Sequence, residues 1–202
     1  MKLRIRREHE YRTMPWKNGQ GMTREVWAYP EGTTLDNFVW RVSCAQVRQA
    51  GAFSQMLGIE RTLMILRGML RVQDLRAQYA VDLNAQSAPF VFQGSTVIHA
   101  EPINADGVVE DFNVMIRAGD CSHSVRRLNV SGTHDEQLIG DFMLIYHESG
   151  APVHIHHPSE FVLNAGETLL VQGENENEKI VHLSATQAAL IVVHINQTRR
   201  TP

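Results

Sequence analysis

Apolar and polar residues alternate with period two along much of the chain, the pattern of strands that bury one face and turn the other to a polar surround. Segments of this kind recur at residues 2–6, 38–47, 62–72, 89–92, 108–117, 141–147, 167–172, 179–183 and 188–195. No segment carries a sustained apolar stripe at helical spacing; residues 7–14 fit one or two helical turns at most. Short strands separated by glycine-containing turns predict an all-β sandwich or barrel. Within residues 108–117, Phe112, Val114 and Ile116 share one face, and Asp111, Asn113, Met115 and Arg117 share the other. The first face is a packing face. The second is expected in solvent by default, and the other possibility is the lining of a barrel interior. Residues 188–195 are apolar on both faces except His194, as in a strand buried on both sides of a barrel filled by side chains.

A weak internal repeat overlies this pattern. Phe90-Val91-Phe92-Gln93-Gly94 precedes Val97-Ile98-His99, and Leu169-Leu170-Val171-Gln172-Gly173 precedes Ile180-Val181-His182. Each follows a strand–glycine–strand unit, around Gly68 and Gly150, and leads to a final strand. Two β modules, residues 1–118 and 119–202, are expected, with the joint near residues 118–124.

Composition narrows the function. The 202 residues hold 19 Lys and Arg against 22 Asp and Glu, a net charge of -3, which argues against a nucleic-acid partner. No apolar run approaches the roughly 18 residues of a membrane span, and no apolar leader follows Met1, so no membrane partner is expected. Two cysteines, Cys44 and Cys121, make no disulfide framework and fit a reducing cytoplasm.

Four segments carry candidate chemistry. Residues 14–26 read as an irregular Pro/Gly loop that brings together Lys17, Asn18, Thr23 and Glu25; the alternative is a plain polar connection with Trp16 plugging the core. Residues 51–61 hold Phe53 and end in Arg61, beside a segment expected to be buried. A guanidinium there needs a carboxylate: a protein acid is slightly favoured, and a ligand carboxylate held by the guanidinium fork is the other reading. Asp111 and Asn113 form the third group. The fourth is the histidine-rich half, where His154, His156 and Glu160 have the spacing of a facial metal triad, although a hairpin of exposed histidines is favoured. No Gly-x-Ser-x-Gly elbow occurs, and Cys44 fits a buried small hydrophobe.

Three blocks in order carry a resemblance: Pro15-Trp16-Lys17-Asn18-Gly19-x-Gly21-x-Thr23-Arg24-Glu25, then Gly51-x-Phe53-Ser54-x3-Gly58-x-x-Arg61-x-Leu63, then Asp111-Phe112-Asn113-x-Met115-x-Arg117. Over about the first 120 residues the chain resembles the HutD/Ves family, and Lys17 with Asn18 places it nearer the HutD branch. Gln20 and Ser95 depart from the residues usual there, glycine and aspartate. The resemblance implies a bicupin of two RmlC-like barrels, often a homodimer, associated with histidine utilisation and binding a metabolite rather than turning it over. No histidine lies between His9 and His99, so the first module is expected to use no metal and no other cofactor. The expectation is a cytoplasmic protein without catalytic residues that binds a small anionic metabolite of the urocanate or formyl- or formimino-glutamate type. Lys17 and Arg61 would hold carboxylates; Asn18, Asp111 and Asn113 would meet amide or imidazole nitrogens; Thr23, Glu25 and Phe53 would complete the pocket. The alternative is a metal-dependent oxygenase or isomerase that uses His154, His156 and Glu160.

Overall fold

A computed structural model describes residues 1–16, 21–103, 107–157, 159–173 and 179–198. Strands dominate, and the described helical content is a single 3-10 turn, Glu8–Glu10. No described helix is long and apolar enough to cross a membrane. The chain forms two compact units, Tyr11–Gly119 and a second made of Met1–Glu10 with Asp120–Pro202.

The Tyr11–Gly119 unit pairs two antiparallel sheets. Its strands are β2 (Arg12–Pro15), β3 (Gly21–Tyr29), β4 (Trp40–Val47), β5 (Gly51–Ala52), β6 (Ile59–Arg67), β7 (Met69–Asp74), β8 (Tyr79–Asn84), β9 (Phe90–Gln93), β10 (Ile98–Pro102) and β11 (Val109–Arg117), numbered after an N-terminal β1 (Lys2–Arg6). One sheet runs β2-β3-β4-β11-β6-β9 and the other β5-β10-β7-β8. Alternation builds the core directly: Leu63 and Ile65 of β6, Leu70 and Val72 of β7, Phe92 of β9 and Ile98 of β10 pack in one apolar cluster. The expected strand over 62–72 breaks at Gly68, whose φ of 85° turns the chain from β6 into β7.

The second unit is built on a sheet ordered β1-β16-β13-β17-β14-β15, with β12 also paired to β17. These strands are β12 (Cys121–Gln137), β13 (Phe142–Gly150), β14 (Val153–His157), β15 (Phe161–Leu163), β16 (Thr168–Gln172) and β17 (Ile180–Gln197). Met143, Ile145, Leu169, Val171, Leu190 and Val192 fill its interior, as the doubly apolar pattern of residues 188–195 predicts. Each unit is an RmlC-like cupin module, and the fold is an all-β bicupin.

Two expectations change. Residues 1–10 belong with the second unit, because β1 adds to the edge of β16 in the register Lys2↔Gln172 to Arg6↔Thr168. A strand's partner is a long-range choice that local pattern does not encode. Residues 7–14, which fit one or two helical turns at most, hold one 3-10 turn, Glu8–Glu10, and then turn to strand in β2. Residues 14–26 are largely strand, with Met14↔Thr23 and Arg12↔Glu25 paired across β2 and β3. Gly21 signals close approach here: a Cβ would lie 2.5 Å from the Gln46 carbonyl oxygen and 2.8 Å from the Trp16 ring.

Candidate functional site

Antiparallel register assembles the site. Across β4, β11 and β6, Ala45 lies opposite Asp111 and Ile65, Ser43 opposite Asn113 and Leu63, and Arg41 opposite Met115 and Arg61. Opposed residues project from the same face. One face of the six-stranded sheet therefore carries Arg41, Ser43, Asp111, Asn113 and Arg61 into a single cavity of about 580 Å³. Trp16 and Thr23 line it as well, joined by a 2.8 Å hydrogen bond from Trp16 Nε1 to Thr23 Oγ1. The segment after β5 contributes Phe53, Ser54 and Met56. Farther along β6, Leu63 and Ile65 carry the same face into the apolar core, so polar groups at one end of the barrel stand above an apolar floor. Enclosure with a few convergent polar groups is the common form of a small-molecule site.

The two arginines of the cavity differ. Arg41 is buried, and its Nε donates to Glu25 Oε2 at 2.7 Å while Nη1 reaches Ser43 Oγ at 3.3 Å. Its charge is met by the protein. Arg61 is 6% exposed and lies between two rings, 5.0 Å from the centroids of Phe53 and Phe92. Nη1 makes a long 3.4 Å bond to the Ser54 carbonyl oxygen, and Nε has no partner among the described residues. No described carboxylate pairs with it. Burial pulls its pKa down to about 10, with the charge of Asp111 raising it and that of Arg41 lowering it.

Asp111 and Asn113, expected in solvent, are buried at 3% and 4% exposure, and the side-chain oxygen Oδ1 of each lacks a partner. Burial pushes Asp111 up to about 7, against the opposing effects of Arg61 and a hydrogen bond from the Ala45 backbone. The favoured expectation for Arg61, an ion pair with a protein acid, is not met among the described residues, where the nearest electrostatic influence of an acid is that of Asp111. The burial of Asp111 and Asn113 has a plain cause: the sheet curls around the cavity, so the polar face of β11 points inward.

Thr23, Phe53, Arg61, Asp111 and Asn113 thus line one cavity. Glu25 stands behind it and holds Arg41. Lys17 and Asn18 lie outside the described residues. Sequence reasoning passed over Arg41 and Ser43, although a signal existed: they are the polar alternates of the otherwise apolar Trp40-Arg41-Val42-Ser43-Cys44. In the histidine-rich unit, His154 and His156 are exposed, with rings 6.3 Å apart, and His156 Nε2 lies 2.7 Å from Ser184 Oγ. Glu160 does not converge with them, and no three metal-capable side chains meet among the described residues.

Comparison with known proteins agrees with this architecture. The chain is 33% identical over 120 residues to Protein Ves of Escherichia fergusonii, covering 58% of this chain and 61% of that protein. It is 32% identical over 116 residues to an uncharacterized 21.2 kDa protein in the hutC 3' region of Pseudomonas putida, covering 56% and 57%. The matches therefore span about three fifths of the length of these relatives. A conserved protein of unknown function from Pseudomonas aeruginosa PAO1 superposes with a TM-score of 0.87 at 28% identity, over 97% of this chain and 100% of that one. HutD from Pseudomonas fluorescens SBW25 gives 0.76 at 24% identity, over 98% and 100%. The HutD family model matches residues 8–191, which takes in most of both compact units, and the chain belongs to the HutD family.

Proposed function

We propose that this protein binds a small organic anion in the Tyr11–Gly119 cavity and serves histidine utilisation as a cytoplasmic binding protein rather than a catalyst. One observation carries the reading: Arg61 is a buried cation that faces the cavity with no protein carboxylate within ion-pair distance among the described residues. A guanidinium taken out of water needs an anionic partner, and a ligand carboxylate supplies it with fork geometry. Phe53 and Phe92, on which the guanidinium rests, hold the fork in place. Asn113 offers an amide for a neighbouring polar group of the ligand. The family and the hutC-region relative support a carboxylate from histidine breakdown, of which urocanate, formylglutamate and formiminoglutamate are the candidates. The HutD of Pseudomonas fluorescens was solved in a formate condition, which makes formate the smallest probe of the same chemistry.

Calorimetric titration with these acids tests the proposal. A charged hydrogen bond contributes about 1.5–3 kcal/mol, so Arg61→Ala should weaken binding by roughly tenfold or more. Arg61→Lys, which keeps charge but loses the fork, should fall between. Equal affinity in Arg61→Ala and wild type would sink the assignment.

A further inference from the structure

As an ionised carboxylate Asp111 is thinly supported in the cavity, by a hydrogen bond from the Ala45 backbone and the charge of Arg61. It is buried, its Oδ1 is unpartnered, and no cation lies within ion-pair distance of it among the described residues. The charged groups around it are few. β6 contributes Arg61, and β4 contributes Arg41, which is committed to Glu25 of β3. On its own strand the neighbours on this face are Asn113 and Met115. The remaining lining from β2, β3 and the segment after β5 includes Trp16, Thr23, Phe53 and Ser54, all uncharged. Among the described residues, the enclosed space thus holds one cation without an ion-pair partner, Arg61, and one carboxylate without one, Asp111.

A ligand carboxylate seated on Arg61 adds a second negative charge to that space. Two carboxylates sharing one poorly solvated site do not both stay ionised; one takes a proton. We propose that this protein binds a carboxylate ligand together with one solvent proton, which is taken up on Asp111, and that the resulting carboxyl donates a hydrogen bond to an oxygen of the ligand. The inference rests on the anion-binding reading above and adds to it the specificity of the site. Asp111 acts as a donor, not as the acceptor for ligand nitrogens that the sequence implies. The ligand class becomes a carboxylate with a further acceptor oxygen, and a cationic amine in that position is disfavoured. Burial already brings Asp111 up to about 7, so the proton is taken up at little cost near neutrality.

The test uses the full chain and N-formylglutamate, whose carboxyls stay ionised throughout pH 6 to 8. Titrated at pH 8 in HEPES and in Tris, wild type should give different heats, because the proton comes from buffers of different ionisation enthalpy. The apparent Kd should weaken about tenfold between pH 6 and pH 8, as the protonated fraction of free Asp111 falls to about one tenth. Asp111→Asn, a neutral isostere that keeps a donor, should show a flat pH profile and no proton uptake. Tight wild-type binding with equal heats in both buffers overturns the role of Asp111 and leaves the anion site standing. So does a pH profile that persists in Asp111→Asn. Absence of binding at every pH overturns the anion site itself, and this inference with it. The wild-type two-buffer measurement decides the matter even if the variant does not fold.

Discussion

Arg41 and Arg61 flank Met115 in one cross-strand row, yet among the described residues only Arg41 has an ion-pair partner. Removing the Glu25 carboxylate would leave Arg41 buried and uncompensated. Glu25→Gln is therefore expected to destabilise the protein by about 2–4 kcal/mol, as broken buried pairs do, measured by denaturant unfolding. Asp111 gives the opposite sign. Its folded pKa, about 7, lies above the ordinary 3.8, so between those values the folded state holds a proton that the unfolded state has lost. Stability contributed by this group is then full below about pH 4 and falls as pH rises toward 7, by a total on the order of 4 kcal/mol. Asp111→Asn removes that slope. The variant should gain on wild type in thermal unfolding at pH 8 relative to pH 4, and parallel pH profiles for the two proteins would refute the assignment.

At the scale of elements, the cavity depends on close backbone approach as much as on side chains. Gly94, just after β9, has its N–H on the Ile59 carbonyl and its carbonyl on the Met56 N–H, both at 2.7 Å. A Cβ there would sit 2.5 Å from the Met56 carbonyl oxygen. Met56 lines the cavity, so Gly94→Ala should cost about 1–3 kcal/mol of stability and also weaken anion binding; calorimetry and unfolding on the same sample check both. In the second unit, Glu136 at the end of β12 is a similar joint. Arg126 donates to both its oxygens at 2.6 Å, His134 lies 3.0 Å away and His194 3.3 Å away. His194 Nδ1 accepts the Ile139 N–H at 3.2 Å, so the neutral ring carries its proton on Nε2, toward Glu136. Burial raises the Glu136 pKa, but hydrogen bonds from His194, Arg126 and His134 outweigh it and hold the group at about 2. This network's stability is present above the ordinary 4.5 and is lost as pH falls toward 2. Glu136→Gln should destabilise by about 2–4 kcal/mol at pH 7, with the deficit shrinking in acid.

For the whole molecule, the return of the N-terminus to the second unit has a measurable consequence. β1 covers the edge of β16 through five register pairs, and Leu3 and Ile5 pack on the unit's core. A chain lacking residues 1–6 should lose amide-exchange protection in Thr168–Gln172, where an edge strand is left unpaired. Unchanged protection there would mean that β1 contributes nothing to the sheet.

Strand content and the two-module layout were legible because alternation is a local signal; it marked β11, with both faces assigned correctly to apolar and polar residues. Arg61, Asp111, Asn113, Thr23 and Phe53 could be named because charged and aromatic residues next to apolar strands are conspicuous wherever they occur. What alternation leaves open is which side of a face is the inside. Asp111 and Asn113 fit a solvated face as well as a lined barrel, and only the closure of β4, β11 and β6 around one cavity decided between them. The same holds for Arg61, whose want of a described protein carboxylate is a property of its distant neighbours. It holds too for β1, whose partner lies more than 160 residues away. Periodicity belongs to a segment and is written in its residues. Burial, pairing and charge balance belong to the space between segments, and folding alone sets them.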